Sequence, residues 1–319
     1  MSGSASAGAG TQRRAWIAWI AVCVIWGTTY LAIAFAVHAM PPFISGVARF
    51  GLAGALMYAW LRARNPRPFA GVSIPMMALV GVLLSGMGNG FVLYAQQGGI
   101  PSGIAALFVA AVPVIVLILD WAFFSKRAPT KQALFGIAVA VAGVVTIVMH
   151  TRNLSGGAPL LYVGAMFVAT TGWSIGTLVQ KRSATTETVL NFTCGQMLFG
   201  AAFQLLMSLV TGEWSRFDPS AISWQGVVAV LYLVVFGSII GLNCYLWLLT
   251  RVPAPKVATY ALVNPVVALF LGAAVLGETV TPLAIVAAVL VLLGVALTVF
   301  QDLPLMRALT ARIAGRPQR

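Results

Sequence analysis

Ten stretches of mainly apolar residues follow one another along this chain of 319 residues. A helix needs about 20 such residues to cross the roughly 30 Å hydrocarbon core of a lipid bilayer. Only 8% of the residues are charged and 60% are hydrophobic, so no region has the composition of a soluble domain. The sequence therefore predicts an all-α integral membrane protein with ten transmembrane helices. Numbered from the N-terminus, the predicted spans cover residues 15–37, 43–61, 72–96, 102–124, 132–149, 159–180, 189–211, 224–249, 256–276 and 282–300.

The basic residues indicate how these spans are oriented. If successive spans alternate in direction, 16 of the 19 Lys and Arg residues lie on one side of the membrane, Arg152 and Arg216 lie on the other, and Arg49 lies within span 2. Connectors rich in Lys and Arg stay in the cytoplasm. We therefore expect a multi-pass protein of the cell inner membrane with both termini in the cytoplasm. The net charge of +13 does not indicate a nucleic-acid partner, because the basic residues lie in short connectors rather than on one soluble face.

The two halves of the chain resemble each other. An offset of 147 residues pairs Trp26 with Trp173, and an offset of 152 pairs Pro113 with Pro265. Each half holds five spans, and because five is odd, the second half must enter the membrane from the opposite side. Such an inverted repeat is typical of secondary transporters, whose binding site lies near the bilayer midplane between the halves.

The chain divides accordingly into two repeats and two tails. Residues 15–149 form the predicted first repeat, and residues 159–300 form the second, inverted repeat. Residues 1–14, rich in Gly, Ala and Ser, are predicted to be a disordered tail, and residues 301–319 a basic C-terminal tail. The sequence leaves the oligomeric state open, because the small-residue face Gly136/Ala140/Gly143 of span 5 could pack within the bundle or against a second protomer.

Polar and aromatic residues recur at helical spacing on six of the spans, namely 1, 3, 4, 6, 8 and 9. A polar side chain that faces lipid without a partner is costly, so these faces should contact protein or a water-filled cavity. Each residue taken alone is better explained by a hydrogen bond between helices, whereas six such faces together favour a shared cavity for a small-molecule substrate. The predicted cavity residues are Trp26, Tyr30, Ser85, Asn89, Phe108, Trp173, Asn243, Trp247, Tyr260 and Asn264.

Three further residues stand out within the spans. Pro113 and Pro265 each remove a backbone hydrogen bond, which predicts a kink in spans 4 and 9. Each kink either shapes the fold or serves as a hinge for alternating access. Arg49 is the one charge clearly inside a span, and we interpret it as a buried structural charge paired with helix ends or with Glu278, in preference to a substrate clamp.

The embedded part of the sequence lacks the groups that most enzymes and pumps need. Asp120 and Glu278 lie near span ends, so no relay of buried Asp, Glu or His is visible. No Gly-Lys pair is present, which excludes a P-loop, and no His/Asp/Glu cluster suggests a metal site or a membrane protease. We therefore expect no enzymatic activity, no cofactor and no metal.

Four segments of the sequence carry a family pattern: Trp26–Tyr30, Ala48–Phe50, Val263–Val266 and Leu276–Pro282. Together they resemble the EamA family of the drug/metabolite transporter superfamily, in particular its bacterial inner-membrane exporters of amino acids and metabolites. The resemblance implies a basket-like bundle of two inverted five-helix repeats. It also implies a central cavity, lined by helices 1, 3, 4, 6, 8 and 9, through which small metabolites leave the cytoplasm.

One position departs from the family pattern. Many relatives keep a Gly-Glu pair in the first repeat at the place that corresponds to Gly277-Glu278 in the second. This chain has Lys126, within Ser125-Lys126-Arg127, opposite Glu278. A role that depends on two symmetric glutamates is therefore not expected here.

The leading hypothesis is a secondary transporter that exports small zwitterionic or amphipathic metabolites, amino acids first, by alternating access. The polar head of the solute would be hydrogen-bonded by Asn89, Asn243, Tyr260 and Asn264. Its side chain would be contacted and gated by Trp26, Phe108, Trp173 and Trp247. With no fixed charge at the midplane, the pocket should accept several amino acids with millimolar affinity.

Two other functions compete with this hypothesis. Efflux of lipophilic cations usually needs an accessible carboxylate in the membrane, and neither Asp120 nor Glu278 is deep enough. A channel or a non-transporting scaffold is the third candidate, although short loops leave a scaffold little surface for partners. The sequence leaves open whether export is facilitated diffusion or coupled to protons.

Overall fold

The computed structural model describes residues 3–126, 128–153, 160–183, 185, 188–252, 257 and 259–300. Within these ranges every regular element is a helix, which confirms the predicted all-α membrane fold. Nine of the apolar helices there are long enough to cross a bilayer, and α9, with 17 residues, is shorter. The helices are α1 (Gly3–Ala39), α2 (Pro42–Arg64), α3 (Ile74–Gln97), α4 (Ser102–Phe123), α5 (Lys131–Asn153), α6 (Leu160–Ser183), α7 (Val189–Val210), α8 (Trp224–Arg251), α9 (Tyr260–Leu276) and α10 (Pro282–Val299).

The ends of the chain differ in part from the prediction. Helix α1 begins at Gly3, inside the segment predicted to be a disordered tail, and its apolar part starts at Gln12. No proline interrupts the alanine-containing run before Gln12, so nothing there terminates a helix. Residues 253–256, where the ninth span was predicted to begin, and the C-terminal tail from residue 301 lie outside the described residues.

The two five-helix halves, α1–α5 and α6–α10, are interleaved rather than placed side by side. Three pairs of repeat-related helices pack on each other: α2 on α7, α4 on α9 and α5 on α10. The other main contacts also connect one half to the other. Helix α1 packs on α8 and α9 of the second half, and its counterpart α6 packs on α3 and α4 of the first half. A two-fold relation between two inverted repeats requires this exchange.

Two central helices leave α-helical geometry at matching places. Helix α3 has π-helical hydrogen bonding over Gly81–Gly88, and its counterpart α8 has it over Leu233–Ile240. A π-helical segment changes the direction of every side chain that follows it, and such segments are frequent at functional sites. Both segments lie in the middle of the bundle, next to the cavity described below.

The two mid-span prolines have different effects. Helix α4 is interrupted at Ala111, just before Pro113, as expected for a proline inside a helix. Helix α9 continues through Pro265 without a break. Because α9 begins at Tyr260, Pro265 lies in its second turn, where few backbone hydrogen bonds precede it.

Glycines bring α5 and α10 into direct backbone contact. A Cβ atom on Gly294 of α10 would lie 2.3 Å from the nitrogen of Ala140 and 2.6 Å from the carbonyl oxygen of Gly136, both in α5. A Cβ atom on Gly143 would lie 2.7 Å from the nitrogen of Val291. The small-residue face of α5 therefore packs within the bundle, against α10.

Replacing Gly294 with alanine should destabilise the protein. The added methyl group would meet backbone atoms that cannot rotate away, and overpacking of this kind costs about 1–3 kcal/mol. Thermal unfolding in detergent should show a lower midpoint for Gly294→Ala than for the wild type. Gly164→Ala is the matched control, because a Cβ atom on Gly164 meets nothing within 4 Å. Equal shifts in the two variants would contradict this packing.

Candidate binding cavity

A cavity of about 60 Å³ lies in the middle of the bundle. Its walls come from α1, α3, α4, α6, α8 and α9, the six helices whose polar and aromatic faces predicted a shared cavity, together with α2. The volume holds only a few water molecules and is well below the roughly 300–1,000 Å³ of ligand pockets, so a solute can bind only if the walls move apart. Six of the ten predicted cavity residues line it: Trp26, Tyr30, Asn89, Trp173, Tyr260 and Asn264.

Two of the other four predicted residues contact neighbouring helices. Ser85 lies in the π-helical segment of α3 and faces α7, where the Gln204 amide donates to the Ser85 carbonyl oxygen (2.7 Å). Phe108 of α4 packs edge-on against Phe167 of α6, with ring centroids 5.6 Å apart. Both side chains are buried between helices rather than in the cavity wall.

The remaining two, on α8, also point away from the cavity. The Asn243 amide donates to the Ile239 carbonyl oxygen (2.6 Å) and approaches the Met57 sulfur of α2 (3.4 Å). The ring of Trp247 lies 5.9 Å from the guanidinium carbon of Arg251, near the end of the helix. The spacing identified one face of α8 but not the neighbour that this face contacts, and in the structure it contacts α2 and the end of the helix.

Four aromatic rings close one side of the cavity. Ring centroids place Trp26 of α1 5.4 Å from Trp173 of α6, 5.0 Å from Tyr245 of α8 and 5.0 Å from Tyr260 of α9. Tyr245 lies 5.7 Å from Tyr260 and 6.1 Å from Trp173. We call these four residues the aromatic layer. Tyr245 was not predicted, because the spacing argument on α8 selected its neighbours.

Two side chains connect this level of the bundle to the surrounding backbone. The Trp26 indole N–H donates to the carbonyl oxygen of Gly237 in the π-helical segment of α8 (3.2 Å). The Asn264 side-chain amide lies beside the carbonyl oxygens of Cys23 in α1 (3.1 Å) and Tyr260 in α9 (3.2 Å), and in the amide orientation that satisfies both, its nitrogen donates to each. Helix α1 is thus tied to α8 and α9 at the level of the aromatic layer.

A second cavity, of about 200 Å³, lies beyond the aromatic layer, towards the end of the bundle that carries most Lys and Arg residues. Tyr245 and Tyr260 line it together with Pro113, Asp120 and Lys181. Tyr260 also lines the central cavity, so the partition there is one side chain thick. We call the second cavity the vestibule. The two cavities form one path that the aromatic layer interrupts.

At the opposite end of the bundle, Glu278 connects α9 to α4. It follows Gly277, whose left-handed conformation (φ 67°) ends α9. The Glu278 N–H donates to the Gly272 carbonyl oxygen (3.0 Å), a bond that turns the chain back over the helix end. The Glu278 carboxylate accepts from the N–H (2.8 Å) and the hydroxyl (2.9 Å) of Ser102, the first residue of α4. A carboxylate at a helix N-terminus satisfies free N–H groups and complements the helix dipole, so it joins α9 to α4.

Glu213 makes the same kind of contact between α7 and α2, and the sequence analysis missed it. It follows Gly212, which is also left-handed (φ 64°), just after α7. Its carboxylate accepts from the N–H groups of Phe43 (3.2 Å) and Ile44 (2.9 Å) in the first turn of α2. Burial raises the pKa of the Glu213 carboxyl, while these two hydrogen bonds act in the opposite direction. The sequence does contain a signal for this contact, because Gly212-Glu213 follows the apolar run of α7 closely, as Gly277-Glu278 follows that of α9.

Aromatic rings close the bundle beside Glu213. Phe43 of α2 is stacked on Tyr94 of α3, with centroids 5.7 Å apart and ring planes 17° apart. Tyr94 also contacts Tyr162 of α6 at 5.2 Å. A Cβ atom on Gly98 would lie 2.3 Å from the Tyr162 ring, so the glycine allows this close approach. We call this end, with Glu213 and Glu278, the capped end.

The Lys/Arg-rich end differs from the capped end. Helix α4 ends near Lys126, whose backbone is left-handed (φ 57°) like that of Gly277. By conformation Lys126 is therefore the counterpart of Gly277, and not of Glu278 as the sequence alignment predicted. The residue opposite Glu278 is then Arg127, which lies outside the described residues. In sequence, a basic residue stands where the second repeat has a carboxylate.

Arg49 of α2 lines the central cavity as a buried cation. Its side chain is 4% exposed, and its Nε donates to the Ser238 hydroxyl of α8 (2.9 Å). Its Nη1 has no hydrogen-bond partner in the part of the chain that the structure describes, and the guanidinium carbon lies 4.6 Å from the centroid of the Phe50 ring. Two expectations are corrected here, because Arg49 does not pair with Glu278, which caps α4, and the cavity does contain a fixed charge.

The cavity wall offers groups that can bind a small solute. The side chains that line it include amides, indoles, phenols, threonine hydroxyls and one guanidinium. Among the described residues, its lining contains no Asp, Glu, His or Cys. Among the residues that the structure describes, no group of three His, Cys, Asp or Glu side chains could hold a metal ion. The groups present can hydrogen-bond, stack on and electrostatically attract a small solute.

Comparisons with known proteins agree with this architecture. The model of the EamA-like transporter family matches residues 14–149 and again residues 160–300. An uncharacterized inner membrane transporter of Escherichia coli strain K12, YedA, is 35% identical over 264 residues, 82% of each chain. A probable amino-acid metabolite efflux pump of Salmonella typhimurium is 29% identical over 301 residues, 92% of this chain and 96% of its own. A solved crystal structure superposes with a TM-score of 0.61 at 18% identity, over 89% of this chain and 96% of the other, which supports the fold.

Replacing Glu278 with glutamine should weaken the contact between α4 and α9. The variant loses the negative charge and sets an NH₂ group against the donors of Ser102. Hydrogen bonds to a charged group contribute about 1.5–3 kcal/mol, so the midpoint of thermal unfolding in detergent should fall. Thr279→Ala, at an exposed neighbouring position, is the control and should leave it unchanged. If Glu278→Gln unfolded at the wild-type temperature, the carboxylate would not be what joins these helices.

Proposed function

The chain belongs to the EamA-like transporter family, and on that premise we propose that it is a secondary transporter. It exports small metabolites, amino acids first, from the cytoplasm by alternating access through the central cavity. The observation that carries this proposal is a cavity between two five-helix halves, closed at the capped end and separated from a vestibule by a single aromatic layer. A relative named a probable amino-acid metabolite efflux pump supports the substrate class.

The Lys/Arg-rich end is the cytoplasmic end in this proposal, because basic connectors are retained in the cytoplasm. A relative named an inner membrane transporter supports the inner membrane as the location. The vestibule then faces the cytoplasm and the capped end faces outward. A solute would load from the vestibule through the aromatic layer and leave when the capped end opens.

The break in α4 is the element that we propose as the hinge. Val112, which follows the break at Ala111, lines both the vestibule and the central cavity. A bend at this point would change the walls of both cavities together, and Pro113 leaves the backbone there with one hydrogen bond fewer. Pro265, in the unbroken α9, would move with its helix as a rigid body.

Two alternatives fit the site less well. Lipophilic cations would meet the cation of Arg49, and the described residues that line the central cavity include no carboxylate to offset it. A channel would need a continuous path, whereas the aromatic layer and the capped end interrupt this one. Since no Asp, Glu or His is among the described residues of the cavity wall, facilitated diffusion down the outward gradient is the mode of transport that suits it.

Proteoliposomes that contain the purified protein provide the test. Uptake and counterflow of a panel of labelled amino acids should be saturable for several of them, half-saturate at roughly millimolar concentrations, and persist without a pH gradient. Flux that requires the gradient would contradict facilitated diffusion. Absence of flux for every amino acid, or one solute bound more tightly than about 1 μM, would contradict the proposed tolerant exporter.

A pair of tryptophan variants serves as the control for this experiment. Trp173→Ala removes one ring of the aromatic layer and should reduce counterflow, because the solute loses a contact and the partition loses a side chain. Trp224→Ala removes a ring that is 70% exposed at the start of α8 and should leave counterflow near the wild-type level. Equal losses in both variants would point to a general effect on folding.

A further inference from the structure

We propose that the guanidinium of Arg49 binds the carboxylate of the transported solute, so that the substrate class is limited to carboxylate-bearing metabolites. This inference rests on the proposed function and narrows it. It starts from a side chain that is 4% exposed and lines the central cavity, and whose Nη1 atom has no hydrogen-bond partner among the described residues. A buried donor without an acceptor is rare in proteins and is a place where a ligand can supply the missing group.

No acidic side chain in the described part of the chain neutralises this cation. Glu278 and Glu213 are held by the N-termini of α4 and α2. Asp218 accepts from Ser220 in the loop after α7, and Asp120 lines the vestibule rather than the central cavity. A charge within a membrane is costly unless it pairs or contacts water, and such charges commonly mark the path of a substrate.

The neighbours of Arg49 hold its guanidinium in place without occupying all of its N–H donors. The Ser238 hydroxyl accepts from Nε, and the Phe50 ring lies beneath the guanidinium at 4.6 Å. Both groups are neutral, and among the described residues Nη1 has no hydrogen-bond partner, so it can take a solute as its partner when the walls move apart. Ser238 belongs to the π-helical segment of α8, so that irregular segment supplies the group that orients Arg49.

A glycine gives Arg49 room to reach the cavity from α2. A Cβ atom on Gly237 of α8 would lie 3.1 Å from Nη2 of Arg49 and 3.2 Å from the methyl group of Thr29. Gly237 and Arg49 both line the central cavity. The guanidinium therefore lies beside Gly237, which has no side chain to block it, and reaches the wall of the central cavity.

The chemistry of the guanidinium selects the ligand. Its planar arrangement of N–H donors matches the two oxygens of a carboxylate, and the bonds are strengthened by opposite charge. The rest of the cavity wall includes aromatic and amide side chains. These can contact either an apolar group or an ammonium group elsewhere on the solute, and they require neither. Amino acids and simple monocarboxylates fit this description, whereas amines and amides that lack a carboxylate do not.

Three isosteric probes test the inference: L-leucine, L-leucinamide and 4-methylpentanoate. Binding to the intact protein in detergent is followed by quenching of tryptophan fluorescence, since Trp26 and Trp173 line the cavity, and counterflow is measured in proteoliposomes. The wild type should bind leucine and 4-methylpentanoate roughly 10- to 100-fold more tightly than leucinamide, as expected when a charge-assisted hydrogen-bond pair is lost. Equal binding of leucine and leucinamide would overturn the inference.

Variants of Arg49 assign the discrimination to the guanidinium. Arg49→Gln should abolish the preference for leucine over leucinamide, and Arg49→Lys, which keeps the charge without the planar fork, should retain part of it. Ser238→Ala, which only frees the guanidinium, should weaken leucine binding severalfold and keeps the test informative if Arg49→Gln fails to fold. Discrimination that is preserved in Arg49→Gln, or that is as large in Ser238→Ala as in the wild type, would contradict the role assigned to Arg49.

The outcomes separate this inference from the proposed function. If leucine and leucinamide are both transported at equal rates, the protein is an exporter but Arg49 is not its carboxylate site. If neither carboxylate binds or is transported by the wild type, both the inference and the proposed substrate class are wrong. If carboxylates bind with the expected preference but show no counterflow, the carboxylate site stands and the transport proposal fails.

Discussion

The N-terminus of a helix leaves backbone N–H groups without an intrahelical acceptor, and where that end is buried the acceptor must come from the protein. At one end of this bundle two carboxylates meet that requirement, each after a left-handed glycine, and each crosses to the repeat-related helix. Glu278 joins α9 to α4, and Glu213 joins α7 to α2. These contacts close the capped end, and the position of the central cavity relative to both ends depends on them.

The two ends of a two-fold architecture are therefore not equivalent. Charge-assisted hydrogen bonds hold the helix pairs that meet at the capped end. At the opposite end of the bundle, α4 ends near Lys126. The partition on that side is a set of four rings around Trp26, and rings can part by small helix movements without breaking a charged contact. We infer that loading through the aromatic layer requires less reorganisation than opening the capped end.

Much of the fold could be predicted from the sequence, because span length and apolar composition leave a membrane chain few choices. The spacing of polar and aromatic residues also pointed to six of the seven helices that line the central cavity, with Trp26 and Tyr260 among the lining residues. On α8 the spacing gave no basis for choosing the face that points inward, so it missed Tyr245 and selected Asn243, which contacts α2. The charge at Arg49 was visible, but its lack of a partner depends on three-dimensional distances that no sequence pattern contains.

The central claim is that one cavity opens to the two sides of the membrane in turn. Thr170 lines that cavity, and a chain with Thr170→Cys and with Cys23, Cys194 and Cys244 replaced by alanine allows access to be measured. A small, membrane-impermeant methanethiosulfonate is applied to right-side-out and inside-out vesicles. We predict faster labelling from the Lys/Arg-rich side than from the capped side without solute, and faster labelling from the capped side when transported solute is added. Equal labelling from both sides without solute would indicate an open channel and contradict the account.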